Sequence, residues 1–467
     1  MKIFFIDPPR FHTRTVRVSR MKYPDIGLGY LASYMERNRH EIRLLDGIAE
    51  SFTLANIRTQ IEEFNPDVIG FALFTHKVFD AEEIARQAKE INPKVRIVAG
   101  GAHATALPRR TLLEFSHIDF VVSGEGELTL NELISAFEQE KNGDFSNIKG
   151  LTWKSADGIV RNPNREIIKD LDALPFPEWS VFPLNRYRTM YSANRQSLEL
   201  PVIASRGCRG RCWFCFRLTG GRVRRRTPRN VLEEIQRNIR EYNAKQIIFF
   251  DTAFTSDQDF TKALCREFQE ARLPDVVTWV CETRVDTVDP YILKLLKQSG
   301  CTHISYGVES GSQKVLDSNN KKTTVKQACE AVRWAKEAGL QVDVNFILGL
   351  PYETRETLKQ TRSLALQMDS DFASFFTFTP YPGTVAMKLA REGKAGLKLL
   401  SSDWSLYEIH SGRAAELHNF SIRELERFQF VTYLMYYLRP KKWGNLLKMI
   451  GLKSLPGLAL RILAGRW

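Results

Sequence analysis

The sequence contains no apolar run that approaches about 18 residues, and this absence argues against a transmembrane helix. Its first residues, MKIFFIDPPRF, lack both the long apolar stretch and the small-residue cleavage site of a signal peptide. Disulfide-type spacing is missing too, because four of the seven cysteines are scattered at irregular intervals: Cys265, Cys281, Cys301 and Cys329. Together these absences predict a cytoplasmic protein in a reducing compartment.

Acidic residues are missing from two segments of the chain. Residues 206–231 contain nine arginines and no acid, and residues 439–467 contain seven lysines and arginines and no acid. The rest of the chain holds 51 of the 67 basic residues and all 54 acidic residues, so it is close to neutral. The net charge of +13 is therefore concentrated in these two segments. The rest of the chain offers no extended basic track with interleaved aromatics, and nucleic acid is therefore not an expected partner.

Three cysteines lie close together within the first of these segments. Cys208, Cys212 and Cys215 have the spacing C-x3-C-x2-C. Three such thiolates can hold three irons of a four-iron cluster and leave the fourth iron open to chelate a small molecule. A zinc site and coincidence are the alternatives, but a structural zinc site usually has four ligands, and no second cysteine pair or nearby histidine follows. The spacing favours an iron–sulfur cluster.

The 467 residues suffice for two or three domains, and two stretches alternate short apolar runs with helical patterns. Such alternation predicts parallel sheets with helical crossovers. The first stretch has predicted strands at 2–6, 41–45, 68–73, 95–99 and 120–122. The second has predicted strands at 200–205, 246–250, 277–281, 303–307, 342–348 and 373–378. Ligands of such sheets bind beyond the carboxyl ends of the strands, where glycines and polar residues cluster here.

Four parts of the chain follow from this pattern. An α/β domain is predicted at 1–140, an extended, proline-containing linker at 141–195, and a partial barrel of six βα units at 196–390. The remainder, 391–467, is predicted to be mainly helical. The cysteine loop would directly follow the first barrel strand.

The chain resembles the cobalamin-binding radical S-adenosylmethionine superfamily over nearly its whole length. The resemblance rests on the cysteine spacing with Phe214 before the last cysteine, on N-terminal strings, and on strings that end the barrel strands. These strings are Pro24-Asp-Ile-Gly27-Leu-Gly-Tyr30, Ala99-Gly100-Gly101-Ala-His103, Gly124-Glu125-Gly126-Glu127, Gly307-Val-Glu309-Ser310-Gly311 and Asn345-Phe-Ile347-Leu-Gly349-Leu-Pro351. The resemblance implies a Rossmann-like, parallel-sheet corrinoid-binding domain, then a partial (β/α)6 radical barrel and a mainly helical C-terminal region.

The resemblance also implies a chemistry and its cofactors: a 4Fe–4S cluster, S-adenosylmethionine and cobalamin. The reduced cluster would cleave S-adenosylmethionine to a 5′-deoxyadenosyl radical, which would functionalise an unactivated carbon of a small-molecule or lipid-like substrate. Methylation from methylcobalamin is the leading outcome. Cyclisation, rearrangement or deoxygenation after the same start stays open, as does a corrinoid- or redox-sensing protein with a structural cluster. An electron donor such as flavodoxin or ferredoxin is an implied partner.

Contacts with S-adenosylmethionine are implied for a set of barrel residues. Glu309 and Ser310 would bond the ribose or methionine part, and Arg284 would pair with the carboxylate. Asp251 would support the amino end or, as the alternative, cap a helix. The full set is Phe214, Asp251, Arg284, Glu309, Ser310, Asn345, Ile347 and Gly349.

Cobalamin contacts are implied for residues at the strand ends of the first domain: Pro8, Arg10, Thr75, Gly100, Gly101, His103, Gly124 and Glu125. One departure is informative. The Asp-x-His-x-x-Gly motif, whose histidine ligates cobalt in carrier proteins, is absent from Asp7-Pro-Pro-Arg-Phe-His12. We therefore expect a corrinoid without histidine on its lower face, with His12, His76 and His103 as candidate neighbours. A domain that binds no corrinoid stays open.

The two basic segments each have two interpretations. The arginines of 206–231 balance the charge of a cluster and attract an acidic substrate or reductant, or they form a solvated face. The tail 441–467 mixes apolar residues with lysine and arginine only, which is typical of peripheral membrane contact. The alternative for the tail is a terminal helix docked on the barrel.

Overall fold

The structure is a computed structural model that describes residues 1–11, 23–47, 49–50, 52–139, 143–187, 197–408 and 412–444. His12 and most of the basic tail therefore lie outside the described residues. Within these ranges the chain forms two large sheets, each with helices around it. None of the helices described is long and apolar enough to cross a membrane.

The first sheet has seven strands in the order β2-β1-β3-β4-β5-β6-β7. Its first five strands are parallel, and β6 and β7 are antiparallel. The strands are β1 (Lys2–Asp7), β2 (Glu41–Asp46), β3 (Val68–Ala72), β4 (Arg96–Gly100), β5 (Phe120–Val122), β6 (Leu151–Ser155) and β7 (Gly158–Arg161). The helices are α1 (Ile26–Arg37), α2 (Leu54–Phe64), α3 (Val78–Ile91), α4 (Gly101–Ala106), α5 (Pro108–Glu114) and α6 (Gly126–Glu138). The strand order reverses between β1 and β3, so a crevice opens beyond their carboxyl ends.

The strands β6 and β7 differ from the expectation of an extended linker at 141–195. They form a hairpin in which Ser155 pairs with Gly158, and β6 pairs with β5. Trp153 anchors the hairpin because its ring packs edge-on against Phe145, with centroids 5.2 Å apart. The two strands are short and are followed by prolines, which hid their alternation in the sequence.

The second sheet has six parallel strands in the order β15-β14-β13-β12-β11-β8, so it forms an open, partial barrel. Its strands are β8 (Glu199–Val202), β11 (Gln246–Phe249), β12 (Thr278–Thr283), β13 (Cys301–Glu309), β14 (Gln341–Leu348) and β15 (Phe372–Thr377), and a small antiparallel pair is formed by β9 (Ser205–Arg206) and β10 (Arg224–Arg225). The helices are α7 (Pro228–Tyr242), α8 (Gln258–Glu270), α9 (Pro290–Gln298), α10 (Gln313–Ser318), α11 (Val325–Glu337) and α12 (Arg355–Gln367). Alternate residues of β14 are buried, which leaves the others on the inner face of the barrel.

Several of the helices begin at a residue whose side chain caps their first turn. Asp257 accepts a hydrogen bond from Phe260 N at the start of α8, and Thr354 forms a capping box with Thr357 at the start of α12. Such caps satisfy backbone N–H groups that have no partner within the helix. Equivalent caps are made by Asp25, Thr53, Thr227, Asp289 and Thr324.

The C-terminal region joins both halves of the molecule. It contains α13 (Val385–Arg391), β16 (Leu397–Leu399), β17 (Ala415–Leu417) and α14 (Ile422–Tyr437). Tyr433 accepts a hydrogen bond from Phe375 N, and Tyr437 donates to Ala373 O, so α14 covers the free edge of β15. Trp404 packs edge-on against His103 of the first domain, with ring centroids 5.1 Å apart. The predicted fold class is confirmed, including the mainly helical C-terminal region.

Candidate functional site

The carboxyl ends of both sheets open into one cavity of about 1600 Å³. The first domain contributes residues that follow β1, β3, β4 and β5, among them Arg10, His76 and Gly101. The barrel half contributes Cys208 and Cys215 of the cysteine loop. The two halves of the chain therefore face a common space.

The three cysteines lie in the loop between β9 and β10. A Cβ atom on Gly210 would lie 3.3 Å from Cys208 Sγ and 3.9 Å from Cys212 Sγ. Both sulfurs therefore lie next to this glycine. The described residues contain no group of three His, Cys, Asp or Glu side chains that converge on one metal ion. A four-iron cluster needs no such convergence, because each cysteine binds a different iron. The spacing of the three cysteines is therefore compatible with one iron for each thiolate.

Cations stand beside this loop. Burial raises the pKa of the Cys212 thiol, while the neighbouring Lys321 and Arg284 act in the opposite direction. Arg284 donates from Nε and Nη2 to both oxygens of Asp286 at 2.8 Å, and from Nη2 to Lys321 O at 3.0 Å. Its Nη1 lies 3.5 Å from the position of a Cβ on Gly210, so this edge of the guanidinium faces the cysteine loop.

Glu309 has a buried partner that the sequence did not reveal. Lys321 Nζ donates to Glu309 Oε1 at 2.7 Å, and Glu309 adopts a left-handed backbone with φ of 70°. Lys321 follows α10, a short helix that the sequence did not predict, so no local pattern pointed to it. The pair lies close enough to Cys212 to affect its pKa.

Asp251 and Ser310, two further predicted S-adenosylmethionine contacts, also bond within the protein. Asp251 accepts hydrogen bonds from Ala204 N at 2.9 Å and from the Ser205 hydroxyl, and burial raises its pKa to about 6. Ser310 is fully buried, and its hydroxyl lies 3.2 Å from that of Thr361. The assignment of both residues to S-adenosylmethionine stays a prediction.

The remaining predicted contacts follow β14 and the cysteine loop. Asn345 donates to Ser305 Oγ at 2.8 Å, and Ile347 is half-buried on the same inner face. Gly349 has φ of 93°, and its N–H donates to Glu353. Phe214 packs against the barrel core beside the cysteines.

The mouth of the barrel includes two side chains that sequence reasoning missed. Tyr23, from the first domain, packs edge-on against Phe250 with ring centroids 4.8 Å apart. Glu282 is exposed although β12 is a central strand, because its side chain faces the inside of the open barrel. Although this side chain is exposed to the space inside the barrel, desolvation by the surrounding protein, together with the nearby Glu309, raises the pKa of Glu282 to about 7.

On the corrinoid side, the structure separates the predicted residues into two groups. The cavity is lined by Arg10, Gly100, Gly101, Gly124 and Glu125, but not by Pro8, Thr75 or His103. Gly101 has φ of 85°, and a Cβ there would lie 2.7 Å from Leu73 N, so only glycine fits. His103 Nδ1 lies 3.3 Å from Thr75 Oγ1, and burial lowers its pKa to about 4.

His76 lines the cavity in a defined tautomer. Arg10 Nη2 lies 3.3 Å from His76 Nε2, and a guanidinium can only donate, so Nε2 accepts and the proton resides on Nδ1. Burial lowers the pKa of His76 to about 3, which keeps the ring neutral. Nδ1 is buried and has no hydrogen-bond partner among the described residues. With Nε2 facing Arg10 and the proton on the buried Nδ1, neither ring nitrogen of His76 is placed to ligate cobalt.

Glu125 lines the cavity but is bonded to the barrel half. Its carboxylate accepts from Arg206 Nη1 at 3.0 Å, from Arg224 Nη1 at 2.7 Å and from Ile168 N at 2.9 Å. The arginine run therefore has a role that neither sequence interpretation included. Its exposed members are Arg209, Arg211, Arg217, Arg222 and Arg229.

Comparisons with known proteins agree with this arrangement. Residues 202–365 match the radical SAM superfamily, and residues 14–134 match the B12 binding domain. An uncharacterized methyltransferase of Pyrococcus horikoshii is 35% identical over 444 residues, which are 94% of this chain and 93% of that protein. The anaerobic magnesium-protoporphyrin IX monomethyl ester cyclase of Cereibacter sphaeroides is 31% identical over 397 residues, or 84% of this chain and 64% of that protein.

A solved structure shares the fold. The radical S-adenosylmethionine methyltransferase TsrM from Kitasatospora setae, with cobalamin and a [4Fe-4S] cluster bound, gives a TM-score of 0.69 at 19% identity. The likeness covers 87% of this chain and 81% of that one.

Proposed function

The chain belongs to the radical S-adenosylmethionine superfamily and carries a B12-binding domain, and on this basis we propose that it methylates an unactivated carbon of a small-molecule or lipid-like substrate. Its cofactors are a 4Fe–4S cluster, S-adenosylmethionine and cobalamin. The shared cavity carries the proposal, because a radical source and a methyl donor must reach the same substrate carbon.

The protein's part in this chemistry is to hold and orient. When bound, the reduced cluster and S-adenosylmethionine supply a 5′-deoxyadenosyl radical, and the corrinoid supplies the methyl group. We assign Cys208, Cys212 and Cys215 to three irons. Arg284 and Lys321, beside these sulfurs, are assigned to offset negative charge and to hold the carboxylate of S-adenosylmethionine.

On the opposite wall we assign His76 and the glycines to the corrinoid. His76 and Arg10 both line this wall, and Arg10 holds the neutral imidazole in the Nδ1–H tautomer. Because Gly100 and Gly101 have no side chains, they present backbone atoms to the cavity at this wall. Tyr23 of the first domain and Phe250 of the barrel half pack edge-on, and both line the cavity.

A second candidate is oxidative cyclisation after the same radical start, without methyl transfer. The cyclase of Cereibacter sphaeroides favours it, since 84% of this chain aligns with that protein. The two reactions differ in the fate of the methyl group of S-adenosylmethionine, which only methylation places in the product.

Methyl-deuterated S-adenosylmethionine distinguishes the two reactions. The anaerobically reconstituted protein is incubated with dithionite and a small-molecule and lipid extract, and products are compared by mass spectrometry with those of Cys212→Ala. Deuterated methyl groups in a product absent from the variant support methylation. A product that lacks label and has lost hydrogens supports cyclisation.

Partners and location complete the proposal. The exposed arginines around Cys215 suit an acidic electron donor such as flavodoxin or ferredoxin, and a cytoplasmic location suits an oxygen-sensitive cluster. Peripheral membrane contact through 441–467 stays a prediction, because residues 445–467 lie outside the described ranges.

A further inference from the structure

The cysteine loop emerges from a narrow neck formed by two arginines. In the β9–β10 pair, Arg206 is directly opposite Arg224, and the loop 207–223 between them carries all three cysteines. Gly207 has φ of 98°, and a Cβ there would lie 2.2 Å from Arg222 O, so the neck tolerates only glycine at this position. Movement of this neck would move the cysteines with it.

Both neck arginines bond to the first domain. Arg206 donates from Nη1 to Glu125 Oε1 at 3.0 Å and from Nη2 to Glu127 Oε1 at 2.7 Å. Arg224 donates from Nη1 to both oxygens of Glu125, at 2.9 and 2.7 Å. Glu125 directly precedes α6 and Glu127 lies in its first turn, at the carboxyl end of β5. Gly124 and Gly126, which line the cavity, therefore belong to a segment that is hydrogen-bonded to the neck of the cysteine loop.

These contacts are buried, which makes them specific. The side chains of Arg206, Arg224, Glu125 and Glu127 are between 4% and 8% exposed. Removal of one partner from such a network leaves an uncompensated buried charge, so the charged groups hold one another in place. Arg206 also lies over the ring of Tyr30, 5.0 Å from its centroid, which adds a contact with α1.

The segment that connects the two halves joins the same network. Ile168 N donates to Glu125 Oε2 at 2.9 Å, and Arg224 Nη1 donates to Ile168 O at 2.5 Å. The carboxylate of Glu125 thus receives donors from the neck and from the connecting segment. It has little remaining capacity for a corrinoid amide, although its residue lines the cavity.

We propose that Glu125 and Glu127 are positioning residues that fix the distance between the iron–sulfur cluster and the corrinoid, through Arg206 and Arg224. The proposal rests on the proposed function for the identity of the two cofactors. Neither acid touches a reacting atom. Each acts by holding the neck of the cysteine loop against the domain that carries the corrinoid.

The same arginine run provides a matched control. Arg226 forms a buried ion pair with Glu234, and both residues belong to the barrel half. Glu234→Gln breaks this buried pair and leaves the bonds of Glu125 and Glu127 to Arg206 and Arg224 in place, although Arg226 also lies 3.5 Å from the Tyr30 hydroxyl of the first domain. A difference between Glu125→Gln and Glu234→Gln therefore separates positioning from general stability.

Dipolar relaxation in paramagnetic resonance tests the proposal in the holoenzyme. The signal of the cobalt(II) corrinoid is recorded with the cluster oxidised and reduced, because a reduced cluster enhances cobalt relaxation according to their distance. Wild type and Glu234→Gln are expected to show the same enhancement. Glu125→Gln and Glu127→Gln are expected to lose part of it or to show a distribution of enhancements, at unchanged cluster and corrinoid content.

An unchanged enhancement in Glu125→Gln with full cofactor content would overturn the proposal. Should Glu125→Gln fail to fold, Glu127→Gln, which neutralises only one of the two carboxylates bonded to Arg206, decides in the same way. Thermal unfolding of all variants is measured alongside. Positioning is supported if Glu125→Gln has the same melting temperature as Glu234→Gln but a different enhancement of cobalt relaxation. Wild-type protein that binds no corrinoid would instead overturn the proposed function.

Discussion

Lys321 Nζ lies 2.7 Å from Glu309 Oε1, and this nearly buried ion pair stands beside the cysteine loop. Lys321→Met should lower the free energy of unfolding by about 3 kcal/mol, because it leaves a buried carboxylate without its cation. Lys326→Met is the control, since Lys326 makes a solvent-exposed pair with Glu330 and should cost less than about 1 kcal/mol. Urea titrations of both variants measure the difference, and equal costs would contradict the importance of the buried pair.

The cluster ligands provide a second prediction. Cys208→Ala, Cys212→Ala and Cys215→Ala should each abolish the brown chromophore or its response to S-adenosylmethionine, because each removes one iron ligand. Cys329→Ala is the control, since this exposed cysteine lies on α11, away from the loop. Iron and sulfide content with the absorption spectrum gives the answer. Full cluster content and normal cleavage of S-adenosylmethionine in Cys212→Ala would refute the assignment.

The third prediction concerns the lower face of the corrinoid. Because His76 keeps its proton on Nδ1 and Nε2 faces Arg10, we expect no histidine on cobalt. Paramagnetic resonance of the cobalt(II) form should lack a strong three-line nitrogen splitting, in wild type and in His76→Phe alike. The variant should bind corrinoid more weakly, as measured by retained absorbance after gel filtration. A three-line pattern that disappears in His76→Phe would show ligation instead.

A fourth prediction concerns pH. Burial raises the pKa of Glu353 from 4.5 to about 8, despite hydrogen bonds from Gly349 N and Leu350 N. The folded protein then keeps a proton that the unfolded chain releases, so this contribution to stability is full below about pH 4.5 and is lost as pH rises through about 8. The free energy of unfolding should fall by at most about 1.4 kcal/mol per pH unit in this window.

Glu353→Gln should remove this part of the pH dependence, and Glu356→Gln, at an exposed position one turn away, should keep it. Anaerobic urea titrations at several pH values compare the slopes. Identical slopes in the two variants would contradict the buried, protonated state of Glu353.

The sequence predicted both sheets because each parallel strand is a short, buried apolar run between helical patterns. The family resemblance and its three cofactors are confirmed by the comparisons. Individual site residues stay predictions, since motif membership does not reveal how a side chain is bonded. Asp251 and Ser310 illustrate this, because their polar atoms bond to other parts of the barrel.

Ion pairs between residues far apart in the chain could not be predicted from the sequence. Arg206 and Glu127 are separated by 79 residues, and nothing in either local pattern indicates that their side chains meet. A run of arginines looks the same whether its members face solvent or a buried carboxylate. The hairpin of β6 and β7 was missed for a related reason, since pairing with β5 rather than local propensity stabilises these short strands.

The most direct test of the account is the product pair formed from S-adenosylmethionine. In the proposed methylation, one molecule would be the radical source and yield 5′-deoxyadenosine, and a second would be the methyl donor and yield S-adenosylhomocysteine. We expect the anaerobic, dithionite-reduced holoenzyme to form both, Cys212→Ala to lose 5′-deoxyadenosine, and corrinoid-free protein to lose S-adenosylhomocysteine. Formation of neither product by protein that holds a complete cluster and corrinoid would contradict the account.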